Sequence, residues 1–262
     1  MKVKTNGIEI NCVIEGPEDA LPIVMSHSLA SSHRMWDLQM PALPQYRVYR
    51  FDTRGHGNSD APDGPYTLDQ IADDTKGMLD ALELDKIHFV GLSLGGMIGQ
   101  YLGLRYPEVL LSLTLADTTS HQEEAGKPVW QERIDTAREH GMGALVNPTI
   151  VRWFTDDFIA ANQNFVRFLQ ECIGSTPVQG YTGAIQAIMH IDVMDQLKSV
   201  NVPTLVVVGE GDMSTPVASA QAIHEAIAGS ELLVIPTAKH FANVEQSRIF
   251  NDALTRFLSQ KG

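Results

Sequence analysis

Short apolar runs recur along the chain, and stretches with helical spacing of apolar residues lie between most of them. Runs of this kind, rich in Val, Ile and Leu and bounded by turn residues, are typical of buried strands. Because strands alternate with helices, the pattern predicts a mostly parallel central sheet flanked by helices, an α/β fold. The predicted strands are 8–15, 22–25, 47–51, 86–90, 111–115, 204–208 and 231–235.

The helical stretches fall into two groups. Helices of the first group follow single strands and are expected to cover the sheet; they are 67–83, 97–106, 216–228 and 244–258. The second group lies in one block where no strand pattern occurs; its helices are 129–140, 158–173 and 181–189. We therefore predict a helical cap over 120–191, inserted between two parts of one core, 1–119 and 192–262.

Composition narrows the classes of protein. A chain of 262 residues with 44% hydrophobic residues is long enough for one large core. It has no apolar run long enough to span a membrane and no N-terminal signal-peptide pattern. A formal net charge of −13 argues against nucleic acid or an anionic membrane as a partner. The two cysteines match no metal-ligand spacing or disulfide framework, so we expect a cytoplasmic protein.

The turn Gly91-Leu92-Ser93-Leu94-Gly95 lies between a predicted strand and a predicted helix. A Gly-x-Ser-x-Gly sequence in this context forms a sharp turn that presents its serine at the carboxyl end of the sheet. A neutral serine hydroxyl needs a general base to accept its proton and hydrogen-bond donors to hold the resulting oxyanion. We therefore predict Ser93 as a nucleophile.

The base and its orienting acid must follow strands that end at the same edge of the sheet. Asp212 follows the strand 204–208, and His240 follows the strand 231–235, so the chain order is serine, acid, histidine. His240 would accept the proton of Ser93, and Asp212 would accept a hydrogen bond from the other ring nitrogen. The alternatives are a helix N-cap for Asp212, a solvated loop position for His240, and Glu210 as the acid.

The oxyanion donors are expected at two backbone positions. One is the N–H of Leu94, the residue after the nucleophile, and the other is most simply the N–H of Leu29, in the loop after the strand 22–25. His27 in the same loop is interpreted first as a side chain that braces the loop and second as a catalytic group.

Taken together, the motifs at 51–57, 91–96 and 240–245 resemble those of the α/β-hydrolase superfamily over the whole chain. Two further motifs, at 129–134 and 152–155 in the predicted cap, resemble 3-oxoadipate enol-lactonases. The resemblance implies a lactone substrate that carries a carboxylate and lies under the cap. Arg133 or Arg152 could bind this carboxylate, and Trp130 and Trp153 would form apolar walls. Ion pairs at the protein surface are the alternative role for the two arginines.

One departure from the enol-lactonase pattern lies in the predicted oxyanion loop. This loop reads Ser26-His27-Ser28-Leu29-Ala30, where the family usually has Asn before the serine and Gly at the end.

The sequence thus predicts a serine hydrolase that cleaves a small carboxylic ester or lactone through an acyl-enzyme, with no metal or cofactor. The resemblance favours an enol-lactonase-like lactonase. The alternatives are a general carboxylesterase or another lactonase, a cofactor-free haloperoxidase or perhydrolase with the same triad, and a small-molecule receptor on the same fold. The sequence leaves the oligomeric state open.

Overall fold

One eight-stranded sheet forms the centre of the computed structural model, which describes residues 1–261. The strands lie in the order β1-β2-β4-β3-β5-β6-β7-β8. The first two pairings, β1 with β2 and β2 with β4, are antiparallel, and all the others are parallel, so the predicted α/β fold is confirmed. The strands are β1 (Lys2–Thr5), β2 (Ile8–Glu15), β3 (Pro22–Ser26), β4 (Arg47–Phe51), β5 (Ile87–Leu92), β6 (Leu110–Ala116), β7 (Thr204–Gly209) and β8 (Glu231–Ile235).

Ten α-helices accompany this sheet within residues 1–261, and none of them is long and apolar enough to cross a membrane. The first helix is capped by Thr67, whose hydroxyl accepts a hydrogen bond from the Gln70 N–H at 3.1 Å. The helices are α1 (Leu68–Ala81), α2 (Leu94–Arg105), α3 (Lys127–His140), α4 (Val146–Trp153), α5 (Asp156–Ala161), α6 (Gln163–Ser175), α7 (Val178–Met189), α8 (Val217–Ala226), α9 (Ala242–Glu245) and α10 (Ser247–Ser259).

Helices α3 to α7 form the chain between β6 and β7, where we predicted a cap. The single helix expected at 158–173 is two helices, because Asn162 leaves the helical conformation with φ −123° and ψ 41°. The pattern also missed α4, whose early Pro148 obscured its helical spacing. At the base of this segment the Gln122 N–H donates to the Ile191 carbonyl, and the Val193 N–H donates to the Ser120 carbonyl.

Buried parallel strands determine where functional side chains gather. Every residue of β5 and β7 is buried, as expected for strands with helices on both faces. The carboxyl ends of β3, β5, β6, β7 and β8 lie at one edge of the sheet because these strands are parallel. The residues that follow them therefore come together under the α3–α7 segment.

Candidate active site

Ser93 has a left-handed backbone conformation, with φ 57° and ψ −112°, between β5 and α2. This turn requires glycine at two neighbouring positions. A Cβ on Gly91 would lie 2.1 Å from the Gly95 carbonyl oxygen, and one on Gly95 would lie 2.2 Å from the Ser26 carbonyl oxygen. The strained serine is therefore held by close backbone packing that no larger residue would permit.

Hydrogen bonds on both sides fix the Ser93 backbone. Its N–H donates to the Ala116 carbonyl at the end of β6, at 2.9 Å. Its carbonyl accepts from the Met97 N–H at 3.0 Å and from the Thr118 hydroxyl at 2.8 Å. These three hydrogen bonds, to β6, to α2 and to the residue two positions after β6, offset part of the cost of the left-handed conformation.

Asp212 and His240 are hydrogen-bonded to each other at the ends of β7 and β8. His240 Nδ1 lies 2.8 Å from Asp212 Oδ2. A neutral ring bonded in this way carries its proton on Nδ1, which leaves Nε2 as an acceptor. Both side chains are buried, so the carboxylate is held away from competing water.

Asp212 also organises its own loop. Its Oδ2 accepts from the Thr215 hydroxyl at 2.6 Å, and its Oδ1 accepts from the N–H groups of Ser214 at 2.7 Å and Thr215 at 3.1 Å. Burial opposes ionisation of Asp212, but the His240 ring and the Thr215 donors outweigh it and lower the pKa of this carboxyl. The alternative acid, Glu210, is exposed and accepts from the Thr237 N–H instead.

Ser93 and His240 border the same cavity, but no hydrogen bond joins the Ser93 hydroxyl to the His240 ring within residues 1–261. Catalytic hydrogen bonds of this kind are often long in an unliganded enzyme and tighten when substrate binds.

The two predicted oxyanion donors are available. Leu94 is the first residue of α2, and neither its N–H nor that of Leu29 donates a hydrogen bond within the described chain. Leu29 lines the cavity beside Ser93. At the end of this loop Ala30 has φ 58°, the left-handed region, where the glycine of the enol-lactonase pattern would adopt the same conformation at lower cost.

The loop that carries Leu29 is braced by His27. The ring accepts from the Thr53 N–H at Nε2, at 2.9 Å, and its Nδ1 lies 2.7 Å from the Ser28 carbonyl. Burial lowers the pKa of His27, so the ring is neutral and its two nitrogens have one donor and one acceptor role. Both ring nitrogens are occupied, which agrees with bracing and leaves neither free for proton transfer.

A cavity of about 290 Å³ separates this edge of the sheet from the α3–α7 segment. Ser28, Leu29, Ser93 and His240 line its lower side. The four residues that we predicted as substrate-binding line its upper side; they are Trp130, Arg133, Arg152 and Trp153. Tyr181 on α7 lines the same side. The sequence pattern did not indicate Tyr181 as a residue of the site; it placed Tyr181 only at the start of the predicted helix 181–189.

Neither Arg133 nor Arg152 forms an ion pair with a carboxylate within residues 1–261. The alternative role, a surface ion pair, is therefore wrong for both. Burial and the charge of Arg152 lower the pKa of Arg133 to about 10, and burial lowers the pKa of Arg152. The two positive groups thus line one cavity without an ion-pair partner from residues 1–261, an arrangement that favours an anionic ligand.

The two tryptophans are held differently. Trp130 donates from Nε1 to the Gln122 side chain at 3.1 Å. Trp153 stacks on Phe241, the residue after His240, with ring centroids 4.2 Å apart.

Within residues 1–261 no group of three or more His, Cys, Asp or Glu side chains is arranged to hold a metal ion.

Comparison with known proteins agrees with this geometry. The family described as alpha/beta hydrolase fold matches residues 22–247, and the chain belongs to that family. A relative, 3-oxoadipate enol-lactonase 1 of Acinetobacter baylyi, is 36% identical over 257 residues, which cover 97% of this chain and 93% of that protein. The protein is thus a hydrolase that resembles 3-oxoadipate enol-lactonases, as its core and cap motifs predicted.

Two solved structures extend the comparison. The enol-lactonase from Burkholderia xenovorans LB400 is 33% identical with a TM-score of 0.96, covering 99% of this chain and 100% of that chain. A thermophilic esterase from Thermogutta terrifontis, solved with malate bound, is 28% identical with a TM-score of 0.92, covering 99% of this chain and 98% of that one.

Proposed function

We propose that this protein is a serine hydrolase that opens a small lactone bearing a carboxylate. The observation that carries the proposal is the pair of unpaired arginines, Arg133 and Arg152, above the cavity that contains Ser93 and His240. The enol-lactonase relatives support the same chemistry.

The first half of the reaction forms an acyl-enzyme. The Ser93 oxygen attacks the lactone carbonyl carbon while His240 Nε2 accepts the hydroxyl proton, and Asp212 stabilises the resulting imidazolium. The N–H groups of Leu29 and Leu94 hold the oxyanion. When the tetrahedral intermediate collapses, the bond from the carbonyl carbon to the ring oxygen breaks, and His240 returns its proton to that oxygen.

The second half releases the acid. A water molecule gives a proton to His240 and attacks the acyl carbon, and the same two N–H groups hold the second oxyanion. Collapse of this intermediate breaks the bond to Ser93, which regains its proton from His240. The product is the ring-opened acid, and no metal or cofactor takes part in any step.

The arginines would supply affinity and orientation. A carboxylate that accepts hydrogen bonds from a buried guanidinium gains about 1.5 to 3 kcal/mol per bond. Trp130 and Trp153 would pack against the apolar ring of the substrate. Malate, which the esterase relative binds, also carries carboxylates.

A general carboxylesterase is the second candidate, and one observation favours it. Val129 and Met213 line the cavity and are largely exposed at its mouth, where they would contact an apolar substituent of a neutral ester.

Covalent labelling tests the proposed nucleophile. A serine-directed phosphonate should add to Ser93 of the wild type, and Ser93→Ala should lower kcat by about 10⁴- to 10⁶-fold while preserving the melting temperature. Turnover of a p-nitrophenyl ester would exclude a purely binding role. Labelling of another serine, or full activity of the variant, would contradict the proposal.

The proposal extends to organisation and location. We assign residues 120–191 as a cap domain on a core formed by 1–119 and 192–262, and we expect a cytoplasmic protein that acts on a small molecule.

A further inference from the structure

The backbone on both sides of His240 is tied to neighbouring groups. The N–H of Lys239 donates to Glu245 Oε2, and the N–H of Phe241 donates to the Trp153 carbonyl at 3.3 Å. His240 therefore lies between two anchored peptide groups, which limit how far its ring can move.

The second oxygen of Glu245 reaches the cap. Glu245 Oε1 accepts from the Thr155 N–H at 2.8 Å and from the Thr155 hydroxyl at 2.7 Å. No Lys, Arg or His in residues 1–261 forms an ion pair with this carboxylate, so its charge is balanced by three hydrogen-bond donors. One side chain thus connects the segment that holds the predicted base to the cap.

Aromatic packing strengthens the same connection. Phe241 stacks on Trp153 and contacts Phe154, with centroids 4.2 Å and 5.3 Å apart. Arg152, the residue before Trp153, lines the cavity. The chain from Arg152 to Thr155 is therefore joined to the chain from Lys239 to Glu245 by the hydrogen bonds of Thr155 with Glu245 and of Phe241 with Trp153, and by the stacked rings.

We propose that Glu245 is a positioning residue that holds His240 and the Arg152 segment in one fixed arrangement. This inference rests on the proposed function, in which His240 is the base and Arg152 faces the substrate carboxylate. Substrate bound at Arg152 would then lie at a constant distance from His240. Small displacements of a catalytic group relative to its substrate greatly lower kcat.

The contacts require a carboxylate. Both oxygens of Glu245 accept from N–H or O–H donors, whereas a glutamine amide has only one acceptor oxygen. In Glu245→Gln the amide NH₂ would face either the Lys239 N–H or the Thr155 side, so the backbone N–H of one of these two residues loses its acceptor. Thr155→Val keeps the backbone N–H and removes the hydroxyl, which both donates to Glu245 and caps α5 by accepting from the Phe158 N–H at 3.3 Å.

The experiment compares Glu245→Gln, Thr155→Val and the double variant, with Glu225→Gln on the exposed side of α8 as the matched control. Three quantities are measured well below the melting temperature: kcat and KM for a lactone acid and for p-nitrophenyl acetate, and the rate of inactivation by a small neutral phosphonate. The phosphonate reports on Ser93 and its base without using the arginines.

Glu245→Gln should lower kcat and the phosphonate rate by about 10- to 100-fold, with a smaller change in KM for the neutral ester. Thr155→Val should lower both by a smaller factor, and the double variant should be no worse than Glu245→Gln, because both act through one contact. Unchanged kcat and phosphonate rates in a folded Glu245→Gln, with only a lower melting temperature, would overturn the inference. If that variant does not fold, unchanged rates in Thr155→Val decide against it.

Failure of the proposed function is distinguishable from failure of this inference. The function fails if the phosphonate labels a residue other than Ser93 in the wild type, whatever Glu245→Gln does. The inference fails if labelling occurs at Ser93 and its rate does not depend on Glu245.

Discussion

The guanidinium of Arg133 lies over the indole ring of Trp130, with Cζ 4.3 Å from the ring centroid. A stack of this kind holds the planar group by its face and leaves its N–H edge free for hydrogen bonds. Both side chains line the cavity above Ser93, so the stack holds the guanidinium at the cavity wall.

Arg133 and Arg152 should make the enzyme prefer a substrate with a negative charge. Arg133→Met and Arg152→Met keep most of the apolar stem and remove the charge. Loss of one charge-assisted contact of about 1.5 to 3 kcal/mol should lower kcat/KM for a lactone acid by about 10- to 150-fold. Hydrolysis of a neutral ester of similar size should change little.

Arg138→Met is the control for this comparison, because Arg138 lies on the same helix as Arg133 and is exposed. Equal losses on acidic and neutral substrates would show that the arginines only stabilise the cap. No loss at all, with a wild-type preference for neutral esters, would favour the general carboxylesterase.

Tyr181 should contribute to the same anion site. Its hydroxyl has no hydrogen-bond partner within residues 1–261, and burial raises its pKa, so it remains a neutral donor at neutral pH. Tyr181→Phe removes only this donor. A hydrogen bond from this neutral hydroxyl to the substrate carboxylate is charge-assisted and contributes about 1.5 to 3 kcal/mol, which corresponds to a roughly 10- to 150-fold loss of kcat/KM for the lactone acid. The ratio of kcat/KM for the lactone acid to that for p-nitrophenyl acetate is the measurement, and an unchanged ratio would place the hydroxyl outside the site.

Asp52 should stabilise the fold only above acidic pH. Its carboxylate accepts from the Asn11 side chain at 2.9 Å, from the N–H and Nδ1 of His33 at 2.8 Å each, and from the Asn58 N–H at 3.0 Å. Burial opposes ionisation, but the hydrogen bonds from His33 and Asn58 outweigh it and lower the pKa of Asp52 well below its usual range. An acid with a lowered folded pKa contributes stability above its unfolded pKa, about 3.9, and loses it as pH falls toward the folded value.

Asp52→Asn should therefore lower the free energy of unfolding by about 2 to 3 kcal/mol at neutral pH and by roughly 1 kcal/mol less near pH 3, where the unfolded carboxyl is mostly protonated while the folded one is still ionised. Urea unfolding at the two pH values measures both differences. Asp19→Asn, at an exposed position, is the control and should show neither. A deficit that does not depend on pH would mean that shape, rather than charge, makes Asp52 stabilising.

Asp117 should behave in the opposite way. It is fully buried at the end of β6, where Oδ1 accepts from the Gly209 N–H at 2.8 Å and Oδ2 has no partner within residues 1–261. Burial and the nearby charge of Asp212 raise the pKa of Asp117 well above its usual range. An acid with a raised folded pKa binds its proton more tightly in the folded state, so it stabilises the fold less as pH rises above the unfolded value.

Asp117→Asn replaces a protonated acid by a neutral amide of the same shape, so its stability relative to the wild type should improve from pH 4 to pH 8. Urea unfolding across this range is the measurement. A variant that loses stability relative to the wild type as pH rises would show that the Asp117 carboxylate is ionised and paired in the fold.

Local patterns were sufficient for most of the fold. The strands 8–15 and 231–235 have the predicted bounds, because alternating or continuous apolar runs bounded by turn residues are a local property. β1 was missed, since four residues with two lysines carry too little apolar pattern. The elbow at Ser93 was predictable for a related reason, since adjacent glycines and a short strand and helix define it within a few residues.

Only the tertiary structure decided what surrounds the site. Whether Arg133 and Arg152 point into the cavity or into solvent depends on how α3 and α4 are rotated on the core, and both point inward. Tyr181 lines the cavity, and Glu245 accepts a hydrogen bond from Thr155, 90 residues away in the sequence. Helical periodicity indicates which residues share a face, but the packing of distant segments determines what that face contacts. The sequence by itself therefore determined the fold and the order of the proposed triad. The cavity surface above the triad was decided only by the tertiary structure.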